Sequence, residues 1–373
     1  MTSNNRPALL RAHMEKNSSN PSELRPILTS LNGDNSWLMS FPVPAGEETT
    51  VAKPKPRKAY YHIVFDPWFA SSGASVTVAS WLIWVALAAP STTIHHGDDV
   101  EQIAREIERS AGSQAGLVAG NEPIGEDERM VDCIVISSRV TDHLHEASLR
   151  KFDRRIPVVA VLDAAAVLQG WGYFETVVAM NDMVGGDKGT EWQGLHPKSP
   201  LPDWLTPFRL RESVQNYAIV ITWSHGLLDS GGSTQQLPSR HEAIWISPHG
   251  MHLDSPPFQA FLRDTTKTVD VLAMLHPLRD SFAFGWQTVL GVTGGLAVER
   301  ALDGGPKYWV PTGDGALSLW GLVAWRVQDM PRTLEWGLEK EEKTAREKGE
   351  EAVVCKRRPN LVEVKSGESL VLE

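Results

Sequence analysis

Cysteine is almost absent from this chain, and its scarcity limits the protein's class. Only Cys133 and Cys355 occur among 373 residues. Cys133 lies in an apolar run and Cys355 lies in a charged segment, so their positions predict no disulfide framework. A chain without disulfides suits a reducing compartment, and we therefore expect a cytoplasmic protein.

Positive charge is also scarce. The chain has 36 Lys and Arg residues against 46 Asp and Glu residues, which gives a formal net charge of −10. The basic residues gather only in the short runs 53–58 and 356–358. An acidic chain without a basic stripe repels a phosphate backbone, so we expect no nucleic-acid partner. The sequence does not indicate an oligomeric state.

Long apolar runs are missing, so no transmembrane segment is expected. Residues 1–25 are mostly polar, and we expect this N-terminal segment to be disordered. Residues 74–90 are apolar but short of the roughly 20 residues that a bilayer needs. They suit either a buried segment of a soluble domain or a lid over a cleft. We adopt the lid, with Trp81 and Trp84 facing an apolar ligand.

Several catalytic signatures are missing as well. The sequence has no Gly-x-Ser-x-Gly elbow, no His-Glu-x-x-His helix and no Cys-x-x-Cys pair. His145-Glu146 and His241-Glu242 begin like the zinc-protease motif, but neither has a second His at the required helical spacing. A serine hydrolase, a zinc protease and a dithiol redox protein are therefore not indicated.

What the chain does contain is a rhythm of buried strands and amphipathic helices. Residues 27–41 predict a hairpin, and strands are predicted at 60–65, 133–136, 157–162, 217–223, 242–247 and 269–275. Residues 98–110 place Val100, Ile103 and Ile107 on one helical face. The pattern predicts an α/β domain over 26–330, followed by a charged helix and a last strand in 331–373.

Four short motifs follow predicted strands in a fixed order. They are Asp66-Pro67-Trp68, Asp142-His143-Leu144-His145, Ser247-Pro248-His249-Gly250 and Thr312-Gly313-Asp314. With this order the chain resembles the metallo-β-lactamase superfamily, in its lactonase and phospholipase D-like branch, and especially a group of fungal and plant lactonase-like proteins. The resemblance covers about residues 27–323. It implies a four-layer αββα sandwich with a metal site between the sheets.

The motif of that superfamily, His-x-His-x-Asp-His, is incomplete here. Its two leading histidines align with Ser138 and Val140, and a late histidine aligns with Gly313. The resemblance leaves Asp142, His143, His249 and Asp314 as metal ligands, enough for one zinc or iron ion or for none. It also gives Asp66 the role of orienting the metal loop. Without a metal, Asp142 and His143 would serve as a helix cap and a packed imidazole.

These observations leave more than one function open. The leading hypothesis is a hydrolase of metallo-β-lactamase fold that cleaves a small apolar ester, lactone or thioester at a single-metal site. Asp142 and His145 are the predicted catalytic residues, and Trp68, Trp81 and Trp84 are the predicted substrate contacts. The alternatives are a metal-independent small-molecule-binding protein, cyclase or lyase of the same fold, and a non-catalytic interaction protein using the charged helix.

Overall fold

Two sheets form the centre of the protein. The structure is a computed structural model that describes residues 6–16, 24–44, 58–69, 71, 75–76, 82–88, 94–112, 125, 128–185, 191–224, 241–349 and 357–373. Trp81, one of the predicted substrate contacts, lies outside these residues. Within them, no helix combines the length and apolar character that crossing a membrane would require.

The first sheet has seven strands in the order β19-β1-β2-β3-β6-β7-β8. Its strands are β1 (Ile27–Ser30), β2 (Trp37–Pro42), β3 (Tyr60–Phe65), β6 (Val131–Ile136), β7 (Val158–Val161), β8 (Val177–Met180) and β19 (Ser369–Val371). The pairs from β3 to β8 are parallel. The carboxyl ends of β3 and β6 therefore meet at one edge of the sheet, where ligand sites of such sheets form.

The second sheet has six strands in the order β16-β13-β12-β11-β10-β9. They are β9 (Asp182–Met183), β10 (Leu205–Arg211), β11 (Tyr217–Ser224), β12 (His241–Ile246), β13 (Val269–Leu275) and β16 (Tyr308–Val310). Strands β12, β13 and β16 are parallel to one another. Their carboxyl ends deliver His249, His276 and the 312–314 turn to the same region.

Seven helices surround these sheets in the described part of the chain. They are α1 (Arg6–Lys16), α2 (Gly97–Gly112), α3 (Glu146–Leu149), α4 (Leu162–Trp171), α5 (Pro256–Ala260), α6 (Val292–Ala301) and α7 (Leu334–Lys348). Val100, Ile103 and Ile107 of α2 are buried against the first sheet, as their spacing predicts. Short 3-10 and π turns occupy Trp192–Leu195, Ala324–Arg326 and Phe261–Thr265.

Strand alternation shows how the layers stack. Tyr217, Ile219 and Ile221 of β11 join the cluster that includes the first sheet, whereas Ala218 and Val220 join the cluster that includes α5 and α6. Successive side chains of a strand point to opposite faces, so β11 packs on the other sheet by one face and on helices by the other. The predicted four-layer αββα sandwich is confirmed.

The described residues also form two small sheets of three strands each, which the sequence did not indicate. One contains β14 (Asp280–Ala283), β15 (Trp286–Val289) and β18 (Val327–Met330), and the other contains β4 (Ser75–Val76), β5 (Trp84–Leu87) and β17 (Leu317–Trp320). The segment predicted as a lid therefore contributes strands β4 and β5, and Trp84 lies opposite Trp320.

The N-terminal end of the chain differs from the expected organisation. Residues 6–16, expected to be disordered, form α1, which contacts α2 and β19. The physical reason is that Leu10 is buried and that Arg6 donates two hydrogen bonds to Glu106 Oε2, at 3.1 and 2.7 Å. The expected last strand is β19, and it pairs with β1 in the first sheet. The domain boundaries as a set stay a prediction.

Candidate metal centre

The centre begins with Asp66 at the end of β3. Asp66 has a φ of 43°, a left-handed conformation that Asp adopts more readily than most residues. Its Oδ1 accepts a hydrogen bond of 2.8 Å from the backbone N–H of Ser137, which follows β6, and its Oδ2 accepts one from the Ser137 hydroxyl. Two parallel strands are thereby joined at their carboxyl ends, where β6 passes into the motif loop.

Asp66 also fixes the imidazole of His143. The distance from His143 Nδ1 to Asp66 Oδ2 is 2.8 Å, and both side chains are fully buried. A carboxylate only accepts, so Nδ1 carries the proton, and Nε2 is the nitrogen left for another partner. A turn holds the backbone, because Val140 O accepts from the N–H of His143 at 2.9 Å. Metal-binding histidines are commonly oriented by a carboxylate in this way.

Tyr217 of the second sheet completes this network. Its hydroxyl lies 2.9 Å from Ser137 Oγ. Because the Ser137 hydroxyl donates to Asp66, it accepts from Tyr217. Burial raises the pKa of Tyr217 well above its usual range, with a further contribution from Asp66, so the phenol keeps its proton. The Asp-His motif does not predict this role, because the sequence around Tyr217 indicates only a buried strand.

His249 approaches from the second sheet. It follows β12, and its Nε2 lies 3.4 Å from Nε2 of His143. The loop is held because the N–H of Leu290 donates to His249 O at 2.9 Å and the Ser247 hydroxyl donates to Tyr217 O at 2.6 Å. Two imidazole nitrogens from opposite sheets thus face each other across the sandwich edge.

Asp142 supplies the third group. Its Oδ2 is 4.0 Å from His143 Nε2, and its Oδ1 is buried without a hydrogen-bond partner among the described residues. Ligand atoms from Asp142, His143 and His249 all lie within 4.8 Å of one another. A buried carboxylate oxygen without a donor costs free energy unless a cation or water satisfies it. The three residues therefore fit one metal ion with an open coordination position.

The two facing imidazoles titrate in opposite directions. Burial would lower the pKa of His143, but the carboxylates of Asp142 and Asp66 outweigh it and raise the pKa above its ordinary value. Burial and then the nearby His143 lower the pKa of His249. Before a metal binds, His143 is the cationic imidazole and His249 is the neutral one, so a metal ion would displace one proton from the pair.

Asp34 is a further buried carboxyl that sequence reasoning missed. Its Oδ1 accepts from the N–H of Gly315 at 3.0 Å. Burial raises the pKa of Asp34, and Asp142 adds to the rise while His143 opposes it, so the three groups share one electrostatic environment. The sequence Asn32-Gly33-Asp34-Asn35 predicted a turn, and turn preference alone did not indicate that Asp34 lies near Asp142 and His143.

Asp314, one of the four predicted ligands, lies outside the group of three. Its Oδ2 accepts from the N–H of Leu278 at 2.8 Å, and its Oδ1 accepts from the N–H of Arg279 at 2.9 Å. Burial raises its pKa to about 6. Both oxygens thus anchor the start of the β14 hairpin, and ligation by Asp314 stays a prediction.

The other predicted catalytic and substrate-contacting residues differ in how far they are buried. His145 is buried, its Nδ1 lies 2.9 Å from Ser148 Oγ, and its ring centroid is 6.1 Å from that of Trp68. Trp68 itself is 1% exposed, so its ring does not face solvent. Trp84 is half-buried in β5. The functional roles assigned to these residues stay predictions.

Two of the positions where the resemblance places a histidine, Ser138 and Gly313, make close contacts with neighbouring residues. Ser138 Oγ is buried and accepts from the N–H of Val140 at 3.2 Å. Gly313 has a φ of +71°, and a Cβ atom there would lie 3.1 Å from Pro248 O and 3.2 Å from Asn35 Oδ1. A larger side chain at 313 would therefore need both neighbours to move.

No known family model matches this chain, and no curated protein is significantly similar to it. Three similar solved structures are Igni18, a novel metallo hydrolase from Ignicoccus hospitalis KIN4/I, an isothiocyanate hydrolase from Delia radicum gut bacteria, and a possible metal-dependent hydrolase from Veillonella parvula DSM 2008. In that order, identities are 11%, 12% and 9% and TM-scores are 0.41, 0.41 and 0.42. The matches cover 93%, 93% and 94% of this chain and 98%, 99% and 100% of the others. At this level of similarity, the chemistry of the site rests on the residues of this chain.

Proposed function

We propose that the protein is a single-metal hydrolase in which Asp142, His143 and His249 hold one zinc or iron ion. The observation that carries the proposal is the convergence of these three groups within 4.8 Å around the unpartnered Oδ1 of Asp142. Two imidazoles and one carboxylate with an open position are a donor set typical of catalytic zinc. When bound, such an ion lowers the pKa of a water molecule and polarises a carbonyl group.

The residues around the ion have separate tasks in this proposal. Asp66 holds His143 with Nε2 directed into the site, and Ser137 and Tyr217 hold Asp66. Asp142 would hold the ion and accept the proton of the attacking water, and that proton would then pass through His145 to the leaving group. The substrate is a small apolar ester, lactone or thioester, with Trp84 and Trp81 contacting its apolar part and Trp68 supporting His145.

A second candidate is metal-free proton transfer by the same imidazoles. It is favoured by the 3.4 Å separation of the His143 and His249 Nε2 atoms and by the opposite directions of their pKa shifts. A cationic imidazole beside a neutral one can donate and accept protons in turn. Such a pair could serve a cyclase or lyase that acts on an apolar molecule without an ion.

Metal analysis of the purified protein separates the two candidates. We expect one zinc or iron ion per chain, and we expect Asp142→Asn, His143→Gln and His249→Gln each to weaken zinc affinity by about 100-fold or more. His145→Gln is the matched control, because it removes a buried neighbouring imidazole and should leave zinc affinity unchanged. Wild-type protein that binds no transition metal, yet needs both His143 and His249 for activity, would support the metal-free candidate instead.

A further inference from the structure

The turn between β10 and β11, residues 212–216, lies beside both halves of the candidate metal centre. Tyr217 follows the turn directly, and its hydroxyl belongs to the network that orients His143. On its other side, the turn contacts the loop of residues 247–252, which carries His249. One turn therefore supports both imidazoles, whose Nε2 atoms lie 3.4 Å apart.

The turn is closed by its own hydrogen bonds. The N–H groups of Glu212 and Ser213 donate to Asn216 O at 3.3 and 2.8 Å. Ser213 Oγ accepts from the N–H groups of Gln215 and Asn216 at 3.2 and 2.8 Å, a common way for a serine to close a turn. The turn also joins the two paired strands β10 and β11, which attach it to the second sheet. Side chains of this turn therefore extend from a fixed backbone.

The loop of His249 needs such support. Strand β12 ends at Ile246, so His249 lies beyond the residues that strand pairing holds. The N–H of Leu290 holds the carbonyl of His249 from the β14–β15 side. Gly250 then has a φ of +77°, which turns the chain in a direction that other residues rarely adopt. Because a metal ligand must be held to within about 0.5 Å, a loop position of this kind depends on contacts from neighbouring elements.

Two residues of the turn supply these contacts. Asn216 Nδ2 donates to His249 O at 3.4 Å and to Gly250 O at 3.3 Å. Glu212 Oε2 accepts from the N–H of His252 at 2.9 Å, and Glu212 Oε1 lies 2.5 Å from His252 Nδ1. A carboxylate only accepts, so Nδ1 of His252 carries a proton. Hydrogen bonds to an ionised group are shorter and stronger than those between neutral groups, so Glu212 provides the stronger of the two contacts.

We propose that Glu212 is a positioning residue of the candidate metal centre: it holds His252 and thereby fixes the place of His249 relative to His143. Among the described residues, neither Glu212 nor His252 belongs to the group of three that could share an ion. Glu212 therefore acts through the loop and not as a ligand. Its role in metal binding rests on the proposed function, whereas its effect on the position of His249 requires no ion.

Zinc titration of full-length variants tests this role. Glu212→Gln keeps the length of the side chain but offers one acceptor oxygen instead of two, so one of the two bonds to His252 is lost. We expect zinc affinity to fall about tenfold, the lower end of the effect of residues that orient metal ligands. His252→Gln keeps a side-chain donor for Glu212 and the backbone N–H, so its zinc affinity should stay within about threefold of the wild type.

The matched control is Asp153→Asn. Asp153 is also a carboxylate that accepts from the backbone N–H and the side chain of a single residue, Arg155, and its exposure of 32% is close to the 23% of Glu212. This substitution should leave zinc affinity unchanged. Glu212→Asp replaces Glu212→Gln if the latter does not fold: it keeps the charge, but its shorter side chain should not reach both donors of His252.

Imidazole signals of the chelator-treated protein give a readout without metal. In long-range ¹H–¹⁵N spectra, we expect Glu212→Gln to move the ring signals of His252 and His249. The signals of His62, whose imidazole is buried beside Glu108, should stay in place. A substitution that only lowers stability would lower the melting temperature and leave the His249 signals where they are.

Several outcomes would overturn the positioning role. One is a set of His249 signals that Glu212→Gln leaves unchanged, and another is wild-type zinc affinity in that variant. A loss of zinc affinity in His252→Gln as large as that in His249→Gln would also overturn it and make His252 a ligand. If the wild type binds no zinc, the proposed function fails, and the spectra of the metal-free proteins still decide whether Glu212 positions His249.

Discussion

The buried imidazoles on the two sides of the site differ in their surroundings. On the first-sheet side, His143 has a carboxylate on Nδ1 and a second carboxylate near Nε2. On the second-sheet side, His276 has only the Pro277 carbonyl, 2.9 Å from Nδ1, and its Nε2 has no partner among the described residues. Burial lowers the pKa of His276 to about 4, whereas the carboxylates raise that of His143 despite its burial.

This contrast shows what a buried carboxylate contributes. Burial disfavours a charged imidazole, and only an opposite charge within a few ångströms reverses that preference. His143 therefore carries a proton that a metal ion would have to displace, while His276 stays neutral and packs beside Trp309 and α6. His249 shares the lowered pKa of His276 but has its Nε2 directed at His143.

Removing the carboxylate should have the largest effect. We expect Asp66→Asn to lower the free energy of unfolding by about 3–5 kcal/mol, the usual cost of breaking a buried ion pair. Zinc affinity should also fall by about 10- to 100-fold, because His143 loses the partner that orients it. Denaturant unfolding and a zinc titration measure the two effects separately.

The chain offers a close control for this change. His62 and Glu108 form another buried pair, with 3.1 Å between Nε2 and Oε1, and it includes none of the three candidate ligands. Glu108→Gln should destabilise the protein to a similar degree and leave zinc affinity unchanged. Equal losses of zinc affinity in both variants would mean that Asp66 acts only through general stability.

The lowered pKa of His276 predicts that the free energy of unfolding depends on pH. The folded pKa of His276, about 4, is below its unfolded value of about 6.5. Its contribution to stability is therefore complete above pH 6.5 and is lost as the pH falls from about 6.5 to about 4. The difference amounts to about 3 kcal/mol over that window. We expect His276→Gln, which is neutral throughout, to flatten this part of the stability curve.

Urea unfolding at several pH values from about 4 to about 7 measures the effect against the wild type. His249 titrates in the same direction, so some slope should remain in the variant. A wild-type curve and a His276→Gln curve that run parallel would show that His276 is not excluded from protonation by the fold.

The sequence predicted the sandwich because apolar strands alternate with helices along the chain and because its motifs resemble those of a known superfamily. Residues 60–65, 217–223 and 269–275 each form the expected strand, since burial on both faces selects β-branched and aromatic side chains. The sequence did not predict α1 or the two small sheets, whose short strands lack a clear periodicity. Weak elements of this kind form through contacts with distant segments, such as the pairing of β5 with β17.

The site residues that could be predicted from the sequence are those in short motifs that follow a predicted strand. The motif order led to Asp142, His143 and His249, which the structure brings together. Tyr217 and Asp34 were not predictable, because their part in the site comes from the packing of two sheets and from a buried turn. Spacing along one chain does not show which residues of distant strands will meet.

A smaller effect is expected when Asp314 is replaced. This substitution tests whether Asp314 binds the metal or only holds the backbone of Leu278 and Arg279. Asp314→Asn keeps one acceptor and loses the other, so we expect a loss of about 1–3 kcal/mol in the free energy of unfolding. Because both oxygens bind the N–H groups of Leu278 and Arg279, zinc affinity should stay within about threefold of the wild type. A fall comparable to that in Asp142→Asn would identify Asp314 as a fourth ligand.

The smallest effect concerns Gly313, where the resemblance places a histidine. Gly313→Ala should cost about 1–2 kcal/mol for the left-handed conformation alone, with an additional cost from crowding by Pro248 O and Asn35 Oδ1. Gly285→Ala is the control: its φ is +84°, but a Cβ atom there would meet nothing within 4 Å, so it reports the backbone cost alone. The difference in unfolding free energy between the two variants measures the crowding. Equal losses would show that the space beside Gly313 can accept a Cβ atom without crowding.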